Sequence, residues 1–183
     1  YLWDVASGQL RDSVVRMGQP IALCMSPDGR HFVWDTQWGT EGVHLWSLSP
    51  LAEERPLLYG AESKRGAFAV RYSPDGKWLA VGGPGVALVL WDTARWIPEK
   101  TLLGHQWTIA DFAFSADGKR LASAGWDNQC RLWDVESGRE VARFPGMAVD
   151  LAPDGSAIAV GGEYILNGRP VPEETSVTIY RAP

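Results

Sequence analysis

Three residue types that together perform nucleophilic catalysis, His105, Ser123 and Asp127, fall in one short stretch of this 183-residue chain. A serine activated by a carboxylate-oriented histidine would cleave esters or amides, but such a triad is defined by geometry, not by the presence of its members. Other catalytic groups are few, because the remaining histidines, His31 and His44, sit in ordinary strand-like positions. Asp-Gly pairs recur and could suggest calcium. Each supplies one carboxylate where calcium takes six to eight oxygen ligands, so they read as turns. Gly82-Gly83-Pro84-Gly85 is glycine-rich like a phosphate loop, yet no helix pattern follows it and no Lys-Ser/Thr completes it. It reads as a turn between strands. Cys24 and Cys130 lie far apart without metal-ligand or paired spacing and read as small buried hydrophobes. The expectation from these residues is no catalytic centre, no cofactor and no metal.

The elements that would position these groups are repeated. Ser26-Pro27-Asp28-Gly29, Ser73-Pro74-Asp75-Gly76, Ser115-Ala116-Asp117-Gly118 and Ala152-Pro153-Asp154-Gly155 recur at spacings of 47, 42 and 37 residues. Later in each unit a strand-like run ends in Trp46-Ser47, Trp91-Asp92, Trp133-Asp134 or Tyr180-Arg181, with an earlier copy at Trp3-Asp4. Within the third unit, alternating apolar runs predict strands over 109–114, 120–124, 129–133 and 139–144, with Asp117-Gly118 supplying the positive-φ positions of a hairpin. The first unit predicts strands over 21–25, 31–35, 43–46 and 55–59, and the second over 67–72, 78–81, 87–91 and 100–103. The last offers 148–152, 157–160 and 176–180 and lacks an outer strand. Residues 1–5 and 9–15 read as the last two strands of a preceding unit.

Trp-Asp steps at this period, with Gly104-His105 ahead of the best unit and Arg131-Leu132-Trp133-Asp134 closing it, resemble the WD-repeat family of β-propellers. The resemblance implies an all-β propeller of four-stranded antiparallel blades. Residues 1–15 would end one blade, followed by blades over 16–60, 61–104 and 105–145 and a last blade over 146–183 without its outer strand. With strands left over, the expected form is an open arc from the C-terminal part of a larger propeller. The chain has no starting Met and its first residues already read as strand, so further blades or an effector domain are expected upstream. The resemblance also implies that Asp127, His105, Ser123 and the Trp133 indole form a buried structural hydrogen-bond chain. That chain is degenerate elsewhere: Gly18-Gln19 replaces Gly-His in the first unit, Val81 stands in the serine position of the second, and Pro145-Gly146 precedes the last.

A net charge of −5 lacks the basic footprint of a nucleic-acid or anionic-membrane binder, and no apolar run approaches a membrane span. Two unpaired thiols fit a reducing, cytoplasmic setting. Of ten tryptophans, Trp46, Trp91 and Trp133 are repeat-core positions, whereas Trp38, Trp107 and Trp126 fall in or beside loops. These would anchor a partner or fill space between blades. The longest departure from the repeat, residues 161–175, carries Tyr164, Arg169 and Glu173, and a smaller one spans 36–42. Both should share a rim with Trp126. The resulting expectation is a non-catalytic scaffold that binds a protein or peptide through this rim. The alternatives are an enzyme or ligand sensor with a site in the central channel, and a purely structural part of a larger propeller.

Overall fold

The computed structural model describes residues 1–14, 19–37, 43–57, 67–84, 87–162 and 177–181. Among them every regular element is a strand. A short pair, β1 (Leu2–Trp3) and β2 (Leu10–Asp12), precedes four larger sheets. The first sheet is β3 (Gln19–Met25), β4 (His31–Gln37), β5 (Val43–Leu48) and β6 (Leu51–Leu57). The second is β7 (Ala69–Tyr72), β8 (Trp78–Gly82), β9 (Ala87–Asp92) and β10 (Ile97–Leu103). The third is β11 (Ile109–Phe114), β12 (Arg120–Gly125), β13 (Gln129–Asp134) and β14 (Arg139–Pro145). The fourth is β15 (Ala148–Leu151), β16 (Ala157–Gly161) and β17 (Val177–Arg181). All pairings are antiparallel and join consecutive strands, so each sheet is a meander.

The turn joining the first two strands of each sheet explains the recurring Asp-Gly. Ser26, Ser73 and Ser115 donate their hydroxyls to the Asp two residues on, at 2.6–2.7 Å, and that carboxylate also accepts the N–H two residues further. Gly29, Gly76, Gly118 and Gly155 take φ of +66° to +72°. Asp117 does not, contrary to expectation: its side chain makes the turn from an ordinary backbone while glycine alone supplies the left-handed residue. These donors hold the Asp28 and Asp117 carboxyls below their usual range.

Strand alternation sends each sheet's side chains to two neighbours. In the second sheet Leu79, Val81, Val89 and Trp91 join Val33, Val43 and Leu45 of the first, while Ala80, Leu88 and Leu90 meet Ile109, Phe112, Leu121 and Trp133 of the third. On the third sheet's other face, Ala122, Ala124 and Cys130 meet Val149, Leu151, Ile158 and Val160. The sheets thus stand face to face with β3, β7, β11 and β15 side by side on the inner edge, an arc of blades not closed into a ring.

The outer strand of the first sheet begins at Leu51, not at 55, because the third and fourth strands are joined by only Ser49-Pro50. Its run Glu53-Glu54-Arg55-Pro56 looks like loop, but an edge strand facing solvent accommodates charge and proline. The sheets approach so closely that a Cβ on Gly82 would lie 2.6 Å from Phe112 Cζ and 3.1 Å from Ile109 Cβ. Gly82→Ala should therefore cost about 1–3 kcal/mol of stability by overpacking. An unchanged denaturation midpoint would mean that the second and third sheets do not meet as described.

Candidate functional site

The third sheet brings His105, Ser123, Asp127 and Trp133 together. His105 lies in the loop from β10 to β11, Ser123 is central in β12, Asp127 is in the β12–β13 turn, and Trp133 is in β13 two residues beyond Arg131. His105 Nε2 is 2.8 Å from Ser123 Oγ, His105 Nδ1 is 3.0 Å from Asp127 Oδ1, and the Trp133 indole N–H donates to Ser123 Oγ at 2.8 Å. Burial outweighs the neighbouring Asp127 carboxylate and pushes the imidazole pKa down, which keeps the ring neutral. One proton arrangement then satisfies every group: indole N–H to Ser123 Oγ, serine O–H to Nε2, and Nδ1–H to Asp127. The Asp127 carboxylate also accepts the Gln106 backbone N–H at 2.9 Å, tying the preceding loop to the turn.

This connectivity is that of a serine nucleophile with its base and orienting acid, and burial decides what it does. Ser123 is fully buried, His105 is 3% exposed and Trp133 2% exposed. The serine oxygen is boxed in by an indole on one side and an imidazole on the other, and no carbonyl carbon reaches it. The arrangement fixes loops; it does not attack substrates.

Sequence reasoning missed Arg131. Its side chain is 2% exposed, pairs with Glu140 and has Nη2 3.9 Å from Asp127, so a guanidinium closes the buried chain behind the carboxylate. Burial works against the Glu140 charge, but Arg143 and Arg131 together hold it below the ordinary carboxyl range. Strand alternation was the available signal, since Arg131 must share a face with Trp133. Two glycines make room for the assembly. A Cβ on Gly104 would lie 2.9 Å from Arg131 Nη1, and one on Gly125 would lie 2.7 Å from His105 Nδ1. In the second sheet, where Val81 replaces the serine, the Trp91 indole N–H is buried with no hydrogen-bond partner.

Of the rim residues, Trp107 is 59% and Trp126 42% exposed. The Trp126 backbone N–H donates to Thr108 O at 2.8 Å, and its ring meets Phe68, just ahead of β7, edge-on at 5.4 Å. Trp126 therefore both packs between sheets and faces solvent, whereas Trp107 stands further out. Trp38, Tyr164, Arg169 and Glu173 lie outside the described residues. On the inner edge, Arg71, Asp111 and Asp150 line a groove of about 520 Å³ along β7, β11 and β15. The Val149 N–H reaches Asp111 Oδ2 there at 3.3 Å. Cys24 and Cys130 are free thiols; burial raises both, Cys130 to about 12.

His105→Ala should lower stability by about 2–4 kcal/mol, because it leaves a buried serine and carboxylate short of partners. An unchanged melting curve would refute the role. The folded imidazole titrates below its unfolded value of about 6.5, so the unfolded chain binds the extra proton and the histidine's contribution shrinks as pH falls below that value. The stability gap between wild type and His105→Ala should therefore narrow on acidification from pH 7 to pH 5, by calorimetry at several pH values. A widening gap would mean that the buried ring is charged.

Comparison with known proteins matches residues 96–134 to the family model described as WD domain, G-beta repeat. THO complex subunit 3 of Arabidopsis thaliana is 22% identical over 88% of this chain and 64% of its own length. The Chromatin assembly factor 1 subunit FAS2 homolog of Oryza sativa subsp. japonica is 36% identical over 42% of this chain and 16% of its own. Small ribosomal subunit protein RACK1 of Candida albicans is 40% identical over 37% and 19%. The chain thus spans less than two thirds of the length of each of these relatives. The crystal structure of RRP9 WD40 repeats superposes with a TM-score of 0.69 at 19% identity, over 81% of this chain and 46% of that one. Residues 96–134 thus match a WD repeat, the chain shares the fold of WD40 repeats, and with the Trp-Asp periodicity, the face-to-face meanders and the indole-serine-histidine-aspartate chain these likenesses support a WD-repeat protein.

Proposed function

We propose that this chain is a non-catalytic scaffold that binds a protein or peptide through the rim bearing Trp107 and Trp126. The supporting observation is the exposure of these two large apolar side chains on loops whose backbones are held by a buried polar chain. An aromatic side chain on a rigid support loses little conformational freedom on binding, and aromatic residues are enriched among those that dominate interface energies. The connections from second to third strand and from one sheet to the next emerge at the same edge of each meander. The described strands that flank residues 38–42 and 163–176 end at that edge too, while Trp38, Tyr164, Arg169 and Glu173 themselves lie outside the described residues.

The relatives lend support by their names, since they include a subunit of the THO complex, a homolog of a chromatin assembly factor 1 subunit and a small ribosomal subunit protein. A role as one component of an assembly is the common thread. The partner here is a protein whose contact surface is apolar enough to cover two indoles.

Replacing both Trp107 and Trp126 by Ala should abolish capture of the partner from a lysate of the source organism by the immobilised chain. Trp107→Ala alone should weaken capture while leaving the melting temperature within about 1–2 °C of wild type, as expected for an exposed side chain. Full capture by the double variant would overturn the proposal, and so would recovery of nucleic acid alone.

A further inference from the structure

On the edge opposite Trp107 and Trp126, three turns share one geometry, and one of the three departs from the others in residue type. In the β1–β2 pair, and between third and fourth strands in the second and third sheets, the connection closes when the residue four beyond an Asp donates its N–H to that Asp carbonyl and takes a left-handed backbone, whereas the first sheet uses the shorter Ser49-Pro50. Gly8 does so above Asp4 (2.8 Å, φ +67°) and Gly138 above Asp134 (2.8 Å, φ +68°). In the second sheet the residue above Asp92 is Trp96 (2.7 Å, φ +52°). A bulky residue in this conformation is strained where glycine is not. Such strain persists where the side chain has a use.

The Trp96 ring stands edge-on to His31 at 6.2 Å and to Tyr72 at 6.5 Å, and it remains partly exposed along a cleft of about 440 Å³ between the first and second sheets. Asp28 and Asp75, from the hairpin turns of those two sheets, line the same cleft. In each, Oδ1 is occupied by the turn's own donors. Among the described residues, the Arg and Lys cations near these Oδ2 atoms are Arg30, with Nε 4.0 Å from Asp28, and Lys77, with Nζ 3.3 Å from Asp75. Those cationic side chains are 80% and 76% exposed, so a better-held cation displaces them readily. Tyr72 is buried, its hydroxyl has no hydrogen-bond partner, and burial above all, with the Asp28 and Glu54 carboxylates adding to it, pushes its phenol up. Aromatic walls and outward carboxylate oxygens make a receptor for positive charge.

We propose that this cleft binds the guanidinium of an arginine side chain of a partner protein, stacked on Trp96 with its N–H groups directed to Asp28 and Asp75. A planar cation with several donors lies flat on an indole while bonding two separated carboxylates at once, which a point-like ammonium does not. The site is distinct from the Trp107–Trp126 rim and stands whether or not that rim binds anything.

The test is an NMR titration of the indole N–H signals of the full chain with the peptide acetyl-Gly-Arg-Gly-amide, and with its citrulline counterpart, which keeps the shape and removes the charge. The Trp96 signal is assigned by its loss in Trp96→Gly, a variant that installs the residue used at the other two turns. The proposal expects a saturable Trp96 shift with the arginine peptide and affinity at least tenfold weaker for citrulline. It also expects at least a tenfold loss in Trp96→Gly, followed at a resonance neighbouring the cleft. Asp28→Asn, which retains the oxygen that caps the turn, should give a comparable loss if Trp96→Gly does not fold. Absence of a Trp96 shift with the arginine peptide, equal affinity for citrulline, or undiminished binding by the folded variants would overturn it.

Discussion

A four-stranded sheet with apolar residues on both faces has no stable existence alone, and the arrangement of this chain follows from that constraint. Leu79 and Val81 point one way from β8 and Ala80 the other, and each set finds cover only in the adjoining sheet. Fully burying one such aliphatic side chain contributes about 1.5–3 kcal/mol, and every interface gathers several. Stability is then largely a matter of nearest neighbours, as in other repeat architectures. The second and third sheets are covered on both sides. The outlying ones are not: Leu23 and Met25 on β3, and Val177 and Ile179 on β17, remain exposed.

Polar chemistry is fitted inside this apolar frame. The chain from Trp133 through Ser123 and His105 to Asp127, backed by Arg131 and the half-buried Glu140, places a neutral imidazole and a buried guanidinium where unpartnered groups would be costly. Its effect is on position. It ties the loop entering the third sheet to the turn between β12 and β13, and so holds Trp107 and Trp126 on a fixed base. The second sheet manages with a buried, unpartnered Trp91 indole and apolar contacts. The polar chain therefore refines a blade that apolar packing already forms.

How much of this was legible in the residues depended on burial. Inner strands such as β8, β9, β12 and β13 carry dense apolar runs between turn signals, and their positions follow directly. The outer strand β6 was misplaced because its solvent-facing side accepts Glu53, Glu54 and Pro56, which look like loop. The hairpin turns were legible as turns, but not that glycine alone would be left-handed, because the Asp side chain does the work assigned to its backbone. Arg131 escaped notice because a charged residue in a strand usually marks the wet face. The strain at Trp96 was invisible for a different reason: only comparison with Gly8 and Gly138 in the same turn shows that a tryptophan stands where glycine is easier.

Native-state hydrogen exchange resolved to individual amides measures most directly whether each sheet is stabilised by its neighbours. The account predicts the slowest exchange in β8, β9, β12 and β13, covered on both faces, at closely similar opening free energies. It predicts much faster exchange in β1, β2 and β17 at the uncovered ends. Protection equal in all sheets, or greatest in β1 and β2, would contradict it.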